Sequence, residues 1–139
     1  MATTQAASTI IRLSNFYAKL LKQQDQWLAA HGISYKEFLI MHYLRDAQAK
    51  HLKRIELAEK VGLSASGVTR LLNPMEKIGL IAKEEGARDA RVSLVRLTES
   101  GEALFRDAEN SFNQRAKSFV NNLDVSQRSS LKVLSEVRI

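Results

Sequence analysis

Residues 54–101 read RIELAEKVGLSASGVTRLLNPMEKIGLIAKEEGARDARVSLVRLTESG, with the spacing of two short helices followed by two β-prone runs. A helix–turn–helix needs a small residue where its helices cross, a turn residue that tolerates positive φ, and apolar residues holding the second helix on the first. Ala58, Gly62, Val68 and Leu71 fill those roles in order. The first helix is expected over about Lys53 to Lys60, with Ile55, Leu57, Ala58 and Val61 turned inward and Gly62 as its stop. Ser64 can cap the second, which should run to about Ile78 and stop at Gly79.

From Gly62 to Met75 there is no acidic residue, and Ser64, Ser66, Thr69, Arg70 and Asn73 fall on outward positions. Short hydroxyls at a helix start bind phosphate, and Arg and Asn match guanine and adenine edges in the major groove. Together with Gly67, these residues are the candidate DNA contacts of the helix. The competing reading is a capped surface helix that lacks acids. Pro74 complicates the second half, because proline removes one N–H and crowds the carbonyl four residues back, at Arg70. A kink or a local bend is expected there.

Immediately downstream, LIAKEE (80–85) and VSLVRL (92–97) are β-prone runs around GARDAR (86–91), which has the composition of a hairpin loop. A helix–turn–helix followed by a ribbon with a basic tip makes a winged helix–turn–helix. Arg88 and Arg91 at that tip can reach along a duplex into a narrow minor groove. Asp89 between them can accept guanidinium N–H groups and orient an arginine. The alternative for this tip is a solvated turn with an exposed ion pair of little energetic weight.

Outward from this core the chain reads as helical. Ile10, Leu13, Phe16, Tyr17, Leu20, Leu21, Trp27 and Leu28 recur at helical spacings from Ser8, a candidate cap, to about His31, before Gly32. Ser34 and Glu37 form a capping box for a helix over about Tyr35 to Asp46, with Ile33 and Phe38 placed as a hydrophobic staple. Thr98 caps a long helix to about Asn121 with Leu104, Phe105, Ala108, Phe112, Ala116, Phe119 and Val120 on one stripe. Asp124 or Ser126 starts a last helix carrying Leu131, Val133 and Leu134. The fold class is mainly α with a small β-hairpin wing. The apolar stripes of the first and fifth helices exceed what the short elements of one chain can cover, which points to an interface.

The chain has 139 residues, 45% hydrophobic and 26% charged, as expected of one globular domain. Its formal net charge of +6 favours polyanionic partners. Residues 50–91, which hold the winged region, are only slightly more basic than the flanks, so DNA affinity should depend on placement and dimerisation more than on bulk charge. With no cysteine, disulfides, thiolate zinc and iron–sulfur sites are excluded. His31, His42 and His51 do not form a metal-ligand pattern, and no nucleophile elbow, phosphate loop or paired carboxylates occur. Neither metal, cofactor nor enzymatic activity is expected. Lacking a basic leader with an apolar core, and any apolar run long enough to span a bilayer, the chain reads as soluble and cytoplasmic, with no membrane partner.

The segment Arg54 to Gly101 resembles the core of the MarR family, the multiple antibiotic resistance regulators. The resemblance is carried by the helix–turn–helix, Gly79 and Leu80 opening the first wing strand, Asp89 and Arg91 at the wing, and Leu97, Thr98 and Gly101 opening the long helix. Pro74 is a departure, standing where the family often has a charged residue. The resemblance implies a homodimeric winged helix–turn–helix regulator, with residues 35–98 as the DNA-binding lobe and 1–34 and 99–139 as dimerisation helices. It implies binding to a pseudo-palindromic operator in double-stranded DNA, usually as a repressor. Ser64 to Asn73 would lie in the major groove and Arg91 in the minor groove, steadied by Asp89, with Arg88 beside a phosphate.

Many members of such a family release DNA when a small, often aromatic or phenolic anion binds a cleft between the dimer region and the winged lobe. Tyr35, Phe38 and His42 on one face of the second helix, with Arg45 at its end, are the candidate material for such a site. The competing assignment makes Phe38 core, Tyr35 and His42 interface, and Arg45 the partner of an acid. At the level of function the alternative is a protein-interaction or anti-repressor module that keeps the winged-helix fold without DNA binding. Pro74 and the modest basic balance are its two supports.

Overall fold

The computed structural model describes residues 2–85 and 93–139. Helix α1 (Gln5–Leu28) is capped by Thr4, not Ser8: the Thr4 side chain accepts from the backbone N–H of Ala7. A single 3-10 turn (Ala29–His31) intervenes before Gly32. Helix α2 (Tyr35–Asp46) carries the expected capping box, with Ser34 N–H donating to Glu37 Oε1 at 2.9 Å and Glu37 N–H to Ser34 Oγ at 3.2 Å. Ile33 and Phe38, the expected staple, are both buried in the core.

The winged lobe follows. Strand β1 (Leu52–Lys53) leads into α3 (Arg54–Val61), the turn at Gly62 and α4 (Ala65–Lys77). Gly62 has φ +70°, a conformation that costs glycine least, and it lets the chain reverse into the Ser64 cap. Strands β2 (Ile81–Glu85) and β3 (Ser93–Leu97) pair antiparallel, with Ile81 opposite Leu97 and Lys83 opposite Val95. Strand β1 adds to the other edge of β3, giving the order β1-β3-β2. Its two residues are too short a run to show alternation, which is why β1 is invisible in the sequence.

One packing expectation is corrected and a second is met in part. Leu57, Ala58 and Val61 of α3 face the core as expected, but Ile55, expected with them, lies away from it and is 63% exposed. On α4 the fully buried line is Val68, Leu72 and Met75, at i, i+4 and i+7, and Leu71 is only half-buried beside it. Helix α4 also runs through Pro74 without interruption, and the fully buried Met75 anchors the turn that follows.

Helix α5 (Glu99–Asn121) roots the lobe. The side chain of its cap, Thr98, accepts from Gly101 N–H at 3.0 Å and donates to the Gly79 carbonyl, tying the end of the wing to the end of α4. A Cβ on Gly101 would lie 2.0 Å from the Leu80 carbonyl oxygen, so only glycine permits this approach. The L-T-x-x-G pattern is thus a joint between sheet and helix. Phe105 and Ala108 carry α5 into the core, where Phe105 meets Phe38 with ring centroids 5.1 Å apart. Helix α6 (Val125–Ser135), capped by Asp124, buries no residue fully. Leu13, Phe16 and Tyr17 of α1 and Leu134 and Val137 near the C-terminus stay exposed around an apolar groove of about 520 Å³. No helix among the described residues is long and apolar enough to cross a membrane.

Candidate nucleic-acid interface

The start of α4 is fixed by local chemistry. Ser64 Oγ accepts from Gly67 N–H at 3.0 Å and lies 3.2 Å from Ser66 Oγ, so two hydroxyls gather at the helix N-terminus. The positive end of the helix dipole and the first-turn N–H groups favour an anion there. A Cβ at Gly67 would sit 3.1 Å from Ser64 Oγ, so glycine keeps the cap uncrowded. Further along, Thr69 Oγ1 donates to the Ala65 carbonyl at 3.0 Å. Ser64, Ser66, Arg70 and Asn73 are exposed and Thr69 is half-buried, while Val68, Leu72 and Met75 face the core.

Two further cations join this face that sequence reasoning missed. Arg54, on the first turn of α3, donates from Nη1 to Thr69 Oγ1 at 2.8 Å, crossing from one helix of the pair to the other. Lys83, on β2, donates from Nζ to Asn73 Oδ1 and lies 3.8 Å from Glu76 Oε1. Both contacts depend on how the helices and sheet pack, so neither leaves a spacing signal in the sequence. The wing candidates Arg88, Asp89 and Arg91 lie outside the described residues.

The candidate effector residues divide. Tyr35, Phe38 and His42 line a cavity of about 230 Å³ between α2 and α5, together with Leu39, Glu109 and Phe112. Phe38 and Phe112 stack with centroids 4.7 Å apart, and Tyr35 stacks on Phe112 at 6.0 Å. Burial raises the Tyr35 phenol above its ordinary pKa, with Tyr17 adding to the shift and a hydrogen bond with Gln24 opposing it. Arg45 does not line the cavity. Its Nη1 donates to Glu109 Oε2 at 2.6 Å, its Nε to Asp46 at 3.0 Å, and its guanidinium lies 4.6 Å from the Phe105 ring centroid. The hydrogen bond with Glu109 raises its pKa despite partial desolvation. An incoming anion at this cavity would meet the Glu109 carboxylate and a cation already compensated. No cluster of metal-ligating side chains occurs among the described residues.

Known proteins share this fold. The profile of a family described as "Transcriptional regulator SarA/Rot" matches residues 22–108, more than half of the chain. The chain is 30% identical over 90 residues to the transcriptional repressor MprA of Escherichia coli (strain K12), a match covering 65% of this chain and 51% of that one. It therefore spans about half the length of that relative. It is 22% identical over 120 residues to the HTH-type transcriptional regulator SarZ of Staphylococcus epidermidis, covering 86% and 77% of the two chains. Among solved structures, Sco3205, a MarR family transcriptional regulator from Streptomyces coelicolor in complex with DNA, superposes with a TM-score of 0.83 at 21% identity, covering 97% of this chain and 87% of that one. AbsC, a MarR family regulator from the same organism, gives 0.80 at 20% identity, covering 98% and 93%. With the match over residues 22–108 and the capped, core-anchored α4 followed by a paired β2–β3 ribbon, the chain belongs to the SarA/Rot family of transcriptional regulators and has the winged-helix fold of MarR proteins.

Proposed function

We propose that the protein is a homodimeric, sequence-specific regulator that binds double-stranded DNA and acts in the cytoplasm as a repressor. The observation that carries the reading is the two-sidedness of α4: one side seals the core, and the other presents Ser64, Ser66, Thr69, Arg70 and Asn73 without an acid before Glu76. Such a helix fits a major groove, where hydroxyls and the helix N-terminus meet phosphate and Arg and Asn meet base edges. Sco3205, solved in complex with DNA, shares the fold, and MprA, named a repressor, is a relative. Arg91, by its resemblance to the family's wing arginine, would enter the minor groove with Asp89 orienting it and Arg88 near a phosphate. The alternative without DNA binding leans on Pro74 as well as on the modest charge, and the unbroken α4 weighs against Pro74 as a helix breaker while leaving the charge it displaces unreplaced.

The exposed apolar residues of α1 and α6 support self-association, since a groove of about 520 Å³ lined by Leu13, Phe16, Tyr17 and Leu134 is costly to leave in water. In the dimer, two copies of α4 would enter successive major grooves of a pseudo-palindromic operator, roughly 34 to 36 Å apart. An effector that fits the α2–α5 cavity would be a small, uncharged aromatic or phenolic molecule, given the stacked rings and Glu109.

The test is fluorescence anisotropy of labelled DNA from upstream of the protein's own gene against a scrambled duplex, across a salt series, with Arg91→Ala alongside. The reading predicts binding to the native sequence about a thousandfold or more tighter than to the scrambled one, weakened by salt and by Arg91→Ala. Equal, weak binding to both duplexes contradicts it.

A further inference from the structure

We propose that Asn73 and Lys83 act as one unit that reads the acceptor edge of a guanine, with Lys83 setting the preference; this rests on the DNA-binding reading of α4. Lys83 Nζ donates to Asn73 Oδ1. An ammonium group has donors only, so this contact fixes the amide with its oxygen toward Lys83 and its Nδ2 turned away. Among the described residues, those Nδ2 donors have no other hydrogen-bond partner. An asparagine that reads adenine must accept from the base's N6 amino group while donating to N7. Here one of the two lone pairs of the accepting oxygen is taken by Lys83, and an amino group approaching the other would face the donors of an ammonium. Guanine offers N7 and O6, both acceptors, and these match the Asn73 amide and the Lys83 cation together.

The fold sets this pair before any DNA arrives. Lys83 is paired with Val95, which is fully buried, and directly opposed residues share one face of a sheet. The Lys83 stem therefore starts on the core side, and its side chain is only 24% exposed while its ammonium reaches α4. Glu76, three residues beyond Asn73 on the same helix, holds the ammonium from a second side at 3.8 Å. Asn73 stands seven residues after Ser66 and four after Thr69, so the pair extends the outward face of α4.

Selection of duplexes from a randomised library by the full chain, Lys83→Met and Asn73→Ala tests the assignment. For the unmodified protein we expect each half-site to contain one G·C pair whose replacement by A·T weakens binding about tenfold or more. Lys83→Met frees the Asn73 oxygen, so the preference at that pair should move toward adenine while the other positions keep theirs. Asn73→Ala should lose the preference at the same pair. It changes an exposed position, so it keeps the test decisive if Lys83→Met disturbs the wing. A motif identical in all three proteins, with uniformly weaker binding by the variants, places Lys83 on a phosphate and overturns the base-reading role alone. No motif for the unmodified protein overturns the DNA-binding reading, and the pair's role with it.

Discussion

The winged lobe and the terminal helices solve burial in opposite ways. In the lobe, α2 buries Phe38, Ile40, Met41 and Leu44, α3 buries Leu57, Ala58 and Val61, and α4 buries Val68, Leu72 and Met75. By contrast, α1 buries only Leu28 over its whole length, and α6 buries none. Among the described residues, the core of the lobe is formed within one chain. The terminal helices leave Ile10, Leu13, Phe16 and Tyr17 in water, so their apolar faces gain only when a second surface covers them. One region therefore holds α4 against a closed core, and the other offers the surface that, in the proposed dimer, would set the distance between two copies of α4.

Phe105→Ala attacks the point where α5 enters the lobe and should have the largest effect. Phe105 is 0% exposed and packs on Phe38 and the Arg45 guanidinium, so truncation should cost about 3–5 kcal/mol. Urea unfolding should show a lower midpoint. Phe16→Glu tests the other region, with an intermediate effect. Sedimentation should show a shift from dimer to monomer, with association weakened about a hundredfold or more by the buried charge, while circular dichroism retains the helices. If Phe16→Glu unfolded the chain as Phe105→Ala does, the two regions would not be separable. Ile55→Ser should do least: at 63% exposure, its effect on unfolding should stay within about 0.5 kcal/mol. A loss of several kcal/mol would restore the inward placement expected from the sequence.

The sequence revealed those parts of the fold that rest on local chemistry. Ser34 and Glu37 sit at capping-box spacing, Gly62 at a turn, and Thr98 and Gly101 at a joint, and each of these has a short-range cause. What it concealed depends on tertiary packing. The choice between Leu71 and Leu72 as the buried member of α4 is a matter of helix rotation, and apolar residues at both positions leave that rotation undetermined. Pro74 signals a clash in isolation, but the buried Met75 beside it holds the final turn. At the candidate interface, the residues of α4 could be read because they share one periodic face. Arg54 and Lys83 could not, because they arrive from other elements. For Arg45 the competing assignment, pairing with an acid, is the one the structure shows, and the identity of that acid, Glu109, was hidden because it comes from a helix distant in sequence.

In the proposed complex both regions act together, with two copies of α4, spaced by the terminal helices, on one duplex. Hydroxyl-radical footprinting on the DNA upstream of the protein's own gene tests this arrangement most directly, with a duplex carrying a single half-site for comparison. Two protected blocks centred about 10 to 10.5 base pairs apart, or a multiple of that, are expected, with the half-site bound far more weakly. A single protected block, or equal binding to the half-site, would contradict it.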